Sequence, residues 1–149
     1  MPLIPLMRGL AAVIYALCLM TRASLAMPAD VRESADQAID ALQNVRPLPP
    51  KRYQSLHDTL TGIKEIRLGY DDNTYRIYVT LRCPWVIMVL DAGMKKSTEG
   101  TNIPKWQKER LETRHKKARE YCTEHDAVLK ADYDKRKARR EEFAEENGP

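Results

Sequence analysis

Three consecutive segments with the patterning of β-strands constrain the fold of this chain more than any other feature. In residues 63–68 and 74–81, apolar and polar side chains alternate, so that glutamate, arginine and tyrosine share the face opposite the apolar residues. Residues 85–90 are apolar on both faces, which predicts a central strand covered on both sides. A pair of lysines, Lys95 and Lys96, follows. Together these segments predict a β-sheet with a cationic surface, which is suited to holding a phosphodiester.

The first two strands can be placed in register from the parity of their apolar positions. Their apolar faces coincide only if paired residue numbers sum to an odd value, and a four-residue loop at 70–73 satisfies this condition. Arg67 then lies opposite Arg76, and Glu65 lies opposite Tyr78. Because opposed arginines repel each other, this pair is expected to face an anion or an acidic partner. The alternative is a solvated sheet face with splayed arginines.

Charge is distributed unevenly along the chain. The whole sequence has a net charge of +4, but residues 93–140 hold 15 lysines and arginines against 8 aspartates and glutamates. A basic half of this kind indicates a polyanionic ligand or an acidic protein partner. The alternative is a lysine-rich helical face that is simply solvated.

The cysteines predict neither a disulfide framework nor a zinc site. Cys18, Cys83 and Cys122 are odd in number and widely spaced, and no Cys/His ligand cluster accompanies them. Free buried thiols in a reducing cytoplasm are the simplest interpretation. The sequence also has no Gly-rich phosphate loop and no GxSxG motif, so no metal or cofactor is expected.

The N-terminal residues 1–26 allow two interpretations. Arg8, the apolar run 10–20 and the small-x-small sequence 24–26 resemble a secretory signal peptide. The alternative is a core strand at 12–17 that leads into the first helix. The apolar run is too short for a transmembrane helix.

Two helices are predicted around the strands. Residues 28–44 carry an apolar stripe at helical spacing, and Pro28 suits a first helical turn. A long basic helix is expected from residue 103, with Asn102 as its cap. Its stripe consists of Leu111, His115, Ala118, Cys122, His125, Leu129 and Tyr133. His115 and His125 are therefore interpreted as stripe residues rather than metal ligands, and the tail beyond Tyr133 is either helical or disordered.

The order of these motifs resembles the RelE/ParE toxin superfamily, and most closely its phage-derived, HigB-like branch. The motifs are the Glu-x-Arg strand at 62–67, the Tyr-Arg strand at 75–78, the Lys95-Lys96 pair and the basic helix after Pro104. The resemblance is clear over residues 56–119. It implies an α+β fold, in which a twisted, mostly antiparallel sheet is packed with an N-terminal helix and a long basic C-terminal helix.

The resemblance also implies a domain organisation and a compartment. It favours a strand over a leader at residues 1–22, and it implies a toxin domain at 23–120 and a charged helical or disordered tail at 121–149. A toxin of this kind is cytoplasmic, has no membrane segment and needs no cofactor.

The implied function is that of the toxin in a type II toxin–antitoxin pair. Such toxins are usually metal-independent endoribonucleases that cut mRNA on the ribosome and thereby inhibit translation. The implied partners are mRNA, the ribosome and a small antitoxin of the helix-turn-helix type. Two alternatives remain, a non-enzymatic ParE-like or phage accessory protein and a small secreted protein.

The residues suggest how such a reaction would proceed. Cleavage through the 2′-hydroxyl needs a base, an acid and cations that stabilise the charge developing on phosphorus. No histidine lies on the predicted strands, so by elimination Arg67, Arg76, Lys95 and Lys96 would bind the phosphate, and crowding of these cations could let a lysine serve as acid or base. Glu65 is the other candidate base, with neutralisation of Lys64 or an arginine as its alternative role.

RNA binding is expected to involve further side chains. Tyr78 could stack on a base, with ordinary strand packing as the alternative. The basic helix, with Lys105, Arg110 and Arg114, can contact RNA phosphates or equally dock the antitoxin.

Overall fold

The computed structural model describes residues 28–43, 46–70, 73–95 and 103–148. It confirms the predicted α+β class: an antiparallel four-stranded sheet carries helices on both faces. In chain order its elements are α1 (Ala29–Gln43), β1 (Tyr53–Ser55), β2 (Ile63–Tyr70), β3 (Asn73–Thr80), β4 (Met88–Lys95), α2 (Lys105–Glu124) and α3 (Asp126–Asn147). The predictions for residues 1–26, Lys96 and Asn102 concern positions outside the described residues.

The predicted register of β2 and β3 is confirmed. Arg67 pairs with Arg76, and Glu65 pairs with Tyr78. The ladder runs from the pair Ile63–Thr80 to the pair Tyr70–Asn73. Both strands therefore extend further toward their connecting loop than the sequence pattern indicates. The sheet order is β1-β2-β3-β4, with each strand antiparallel to its neighbour.

One face of the sheet is covered by α1, as the apolar stripe of this helix predicts. Val31, Ala35 and Ile39 recur every four residues and are buried. They pack on apolar side chains of β2, β3 and β4, among them Ile66 and Ile77. The residues described in this core are apolar or tyrosine, and they fix the apolar face of the sheet. Glu65, Arg67, Arg76 and Tyr78 lie on the opposite face.

The second face is covered by α2 and the beginning of α3. Leu111, Ala118 and Leu129 are buried against Ile63 and Met88 of the sheet. The predicted stripe thus faces the core as expected. None of the helices in the described ranges is both long and apolar enough to cross a membrane.

The single long helix predicted after residue 103 is interrupted at His125. This residue has φ −110° and ψ 22°, outside the α-helical range, and it separates α2 from α3. Its ring stacks on Tyr121 with centroids 4.0 Å apart, and its backbone N–H donates to the Tyr121 carbonyl at 2.9 Å. Of the two alternatives for the tail, the helical one is observed, since α3 continues to Asn147.

The third predicted strand begins later than its apolar pattern indicates. β4 starts at Met88, whereas Trp85 lies in a bend before it. The Trp85 ring contacts Tyr133 at a centroid distance of 5.4 Å, and its Nε1 donates to an Asp126 carboxylate oxygen at 2.7 Å. Trp85 therefore packs beside α3 instead of belonging to the strand, whereas Ile87 is buried in the core on the α1 face. Within the described ranges β4 pairs only with β3, so it is an edge strand there rather than the predicted central strand.

A disulfide joins Cys83 to Cys122, so the prediction of free thiols is wrong for these two residues. They stand 39 residues apart in sequence, and the packing of α2 against the β3–β4 loop brings their Cα atoms to 5.9 Å. Their spacing alone therefore carried no signal. Closing a loop of this length lowers the conformational entropy of the unfolded chain, which stabilises the folded chain by about 4 kcal/mol. Such bonds persist in oxidising compartments and are rare in the cytosol.

His115 forms a polar contact inside the second core. The residue is buried, and its Nε2 lies 3.0 Å from the Thr80 hydroxyl on β3. Burial lowers the pKa of the ring from its usual 6.5, and the charges of Arg119 and Arg82 lower it further. His115 is thus a neutral packing residue, in agreement with its predicted place on the stripe.

Stability should therefore depend on pH through His115. Above pH 6.5 the ring is neutral in both folded and unfolded chains, and as the pH falls below 6.5 the unfolded chain binds the proton first. The free energy of unfolding should fall in this window until the pH passes the lowered folded-state pKa. His115→Gln should flatten that slope in urea unfolding between about pH 5 and pH 7. The exposed His57→Gln variant is the control, and an unchanged slope in His115→Gln would contradict the assignment.

Candidate functional site

The polar face of the sheet carries two adjacent rows of residues that differ in burial. The inner row consists of Glu65, Tyr78 and Asp91, each 2% exposed. The outer row consists of Arg67, Arg76 and Gly93. Because α2 packs over the inner row and the outer row lies beside it, the two arginines stand at the boundary between core and solvent.

Glu65 lies between the two opposed arginines. One of its carboxylate oxygens accepts a hydrogen bond from Arg67 Nε at 2.5 Å, and the other accepts one from Arg76 Nη1 at 3.4 Å. Lys64 points to the other face, where its ammonium meets Ser55. Of the alternatives for Glu65, neutralisation of arginines is therefore the observed one. It offsets one of the two cationic charges and leaves the cluster with an excess of one.

Tyr78 is held protonated beneath the arginines. Burial raises its pKa to about 12, with a further contribution from the negative charge of Glu65, while Arg76 acts in the opposite direction. The phenol is therefore a neutral hydrogen-bonding group at physiological pH. Its ring is part of the second core, packed with Ile63 and Leu90, and does not lie on the surface.

Asp91 fastens α2 to the sheet. A β-bulge at Leu90 turns both Leu90 and Asp91 toward α2. Tyr78 of β3 pairs with Asp91, but the next residue, Val79, pairs with Val89, so Leu90 is the extra residue. Arg110 donates to Asp91 Oδ2 from Nε at 2.9 Å and from Nη2 at 2.6 Å. Arg114 donates to Oδ1 at 3.2 Å and to the Leu90 carbonyl at 2.9 Å.

The outer row has open space above Gly93. A β-carbon built at this position would meet no atom of the described residues within 4 Å, although Arg76 lies directly opposite on β3. Arg76 is 9% exposed, and its buried Nε finds no hydrogen-bond acceptor in the described part of the chain. An unpaired buried donor beside an open space can bind an oxyanion, because the anion would supply the missing acceptor.

The predicted site residues are only partly brought together. Lys95 ends β4 opposite Thr74, one row beyond Gly93, and Lys96 lies outside the described residues. Lys105 extends into solvent with 91% of its side chain exposed. The predicted RNA contacts at Arg110 and Arg114 instead face inward to Asp91, as described above.

Sequence reasoning missed three features of this region. Asp91 interrupts an apolar run, which was a usable signal that a buried cationic partner exists. Gly93 and Trp106 carried no such signal, because their importance depends on the packing of α2. Trp106 is 59% exposed, and its ring lies 4.8 Å from the Arg110 guanidinium.

Removing the charge of Asp91 should destabilise the fold strongly. Asp91→Asn keeps the size of the side chain but leaves Arg110 and Arg114 without their anion, and breaking a buried pair costs about 3 to 5 kcal/mol. The free energy of unfolding in urea measures this loss. Glu109→Gln is the control, because Glu109 and its partner Lys105 are largely exposed and should contribute little. Equal stability of the two variants would show that Asp91 does not hold α2.

Comparison with known proteins identifies the family but no close relative. No curated protein and no solved structure matches the chain. A family model described as phage-derived protein Gp49-like (DUF891) matches residues 25–118, which span α1, the whole sheet and most of α2. The chain therefore belongs to the phage-derived Gp49-like family (DUF891), which is of RelE-toxin-like type.

Proposed function

We propose that this protein is the toxin of a type II toxin–antitoxin pair, and that it is a HigB-like endoribonuclease which cuts mRNA on the ribosome. Membership of a RelE-toxin-like family is consistent with a toxin and with an antitoxin partner. The observation that carries the nuclease proposal is the outer row. There, two arginines face each other beside the open space at Gly93, and Arg76 Nε has no acceptor among the described residues.

A phosphodiester placed at this row would meet two guanidinium groups. Arg67 and Arg76 donate planar, paired N–H groups that match the oxygens of a phosphate. Their partner Glu65 lies one row deeper and already accepts from both side chains. An incoming phosphate would complete the coordination of Arg76 and would offset the remaining positive charge. The same two charges would stabilise the transition state as negative charge grows on the phosphoryl oxygens.

The proposed reaction is an internal transfer at phosphorus. The 2′-oxygen attacks phosphorus and the bond to the 5′-oxygen breaks, which leaves a 2′,3′-cyclic phosphate and a free 5′-hydroxyl. Lys95 and Lys96 are the candidates for the base that takes the 2′-hydroxyl proton and for the acid that protonates the 5′-oxygen. Glu65, whose two oxygens accept from Arg67 and Arg76, would hold those arginines in place. Tyr78 supports Arg76 from below as a neutral phenol.

Arg76→Ala and Arg67→Ala should each relieve growth arrest and abolish new transcript ends after induction. Loss of one preorganised cationic donor is expected to lower the cleavage rate about 100-fold or more. Sequencing of transcript 5′ ends measures cleavage, and a thermal melt checks the fold. Arg32→Ala is the matched control, because Arg32 is exposed on α1 across the sheet from the site.

The outcomes separate the proposed nuclease from its alternatives. Full toxicity of Arg76→Ala would contradict the assignment of the site. Toxicity of the wild type with intact transcripts would instead support a ParE-like or accessory protein without nuclease activity.

The disulfide favours a second candidate, a small secreted protein. A bond between Cys83 and Cys122 fits an oxidising compartment, and the leader-like sequence ending at Ala26 would direct the chain there. N-terminal sequencing of the expressed protein tests this candidate. A start at Met27 supports export, whereas an uncut chain recovered from the cytoplasm with reduced cysteines contradicts it.

A further inference from the structure

A second cationic cavity lies at the other end of α2, away from the outer row. Its volume is about 550 Å³, and it is open on one side. The residues that line it are Arg82, Cys83, Pro84, Arg119, Cys122, Thr123 and Asp126. They come from the β3–β4 loop, from the last turns of α2 and from the start of α3, so the cavity exists only where these three segments meet.

Arg82 is positioned by the backbone around it rather than by a carboxylate. Its Nη2 donates to the Thr61 carbonyl at 3.4 Å, and its backbone N–H donates to the Thr80 hydroxyl at 3.2 Å. Its Nε lies 2.2 Å from the point where a β-carbon on Gly62 would stand. Gly62 has φ +96°, a conformation that glycine adopts without strain, and its missing side chain leaves the room that the guanidinium occupies.

Arg119 places a second guanidinium at the same cavity. Both arginines are exposed, and in the described part of the chain neither lies within 4.0 Å of a carboxylate. Asp126 is the one carboxylate in the cavity lining, and one of its oxygens accepts from Trp85 Nε1. The lining therefore keeps an excess of one positive charge. The effect of Arg119 and Arg82 on the pKa of the neighbouring His115 agrees with a positive local potential.

The disulfide holds these two like charges together. Cys83 follows Arg82 directly, and Cys122 lies three residues beyond Arg119, on the same side of α2 at nearly one turn. Without the bond, repulsion between the guanidinium groups would favour their separation. An oxyanion between them would remove that repulsion and would bind through charge-assisted hydrogen bonds.

We propose that this cavity is a binding site for a phosphate group, formed by Arg82 and Arg119 and maintained by the Cys83–Cys122 disulfide. The phosphate is that of an RNA backbone or of a free nucleotide, which present the same oxygens. The site is separate from the outer row and does not rest on the proposed nuclease activity. Binding and oxidation are thermodynamically linked. If the disulfide strengthens phosphate binding by some factor, bound phosphate favours the oxidised form by the same factor.

Calorimetric titration of the oxidised full-length chain carrying Arg67→Ala and Arg76→Ala with inorganic phosphate tests the site, since these two changes remove binding at the outer row. Arg82→Gln and Arg119→Gln should each weaken binding about tenfold or more, since each removes charged hydrogen bonds. Arg139→Gln on α3 is the control, because it removes an exposed positive charge outside the cavity lining. Absence of saturable binding, or an equal loss in all three variants, would overturn the proposal. Because Arg119 is exposed on a helix surface, Arg119→Gln decides the matter even if Arg82→Gln fails to fold.

Two further titrations identify the source of the phosphate and the role of the disulfide. They use the Arg67→Ala/Arg76→Ala double variant, so that binding at the outer row does not contribute and failure of the nuclease proposal leaves the result intact. Tighter binding of a short single-stranded RNA than of AMP would assign an RNA backbone, and equal binding would assign a free nucleotide. The Cys83→Ser/Cys122→Ser variant should bind phosphate more weakly, and unchanged affinity would overturn the role of the disulfide.

Discussion

The contact of Asp91 with Arg110 and Arg114 determines how the rest of the polar face is used. A buried carboxylate in an otherwise apolar strand needs cationic partners, and here two turns of one helix supply Arg114, which is largely buried, and Arg110, which is partly exposed. The bulge at Leu90 is what turns Asp91 toward α2, and Arg114 also satisfies the Leu90 carbonyl. One local irregularity in a strand therefore fixes the position of a 20-residue helix.

Because α2 is held at Asp91, the polar face is divided into a covered row and an open row. Glu65 belongs to the covered row, yet both of its oxygens reach arginines of the open row. This arrangement resolves the repulsion between Arg67 and Arg76 without consuming their capacity to bind an anion. Arg67 remains about one-third exposed, and within the described ranges Arg76 Nε has no acceptor. A fully neutralised pair would have no reason to attract a phosphate, and an isolated pair would destabilise the sheet.

The sequence predicted those features that depend on local periodicity and failed where distant packing decides. The pairing of Arg67 with Arg76 followed from parity together with the position of the loop at 70–73, because a shift of one residue would have exposed the whole apolar face. The start of the third strand was misplaced, because the Trp85 ring packs against Tyr133 of α3 and precedes the strand. The disulfide was missed for the same reason, as Cys83 and Cys122 meet only after α2 has packed. The candidate site followed the same division: its arginines were predicted, whereas the open space at Gly93 depends on where α2 lies.

Two parts of α2 are held against the rest of the fold by different chemistry, and they can therefore respond differently to a change in redox conditions. Near its first turns the helix is held by ion pairs with Asp91, whose partners are shielded from solvent to different degrees. Near its last turns it is held by a covalent bond to the β3–β4 loop. On the proposal that the disulfide maintains the phosphate site, reduction would weaken the cationic surface at Arg119, while Asp91 would continue to hold the part of α2 beside Arg76.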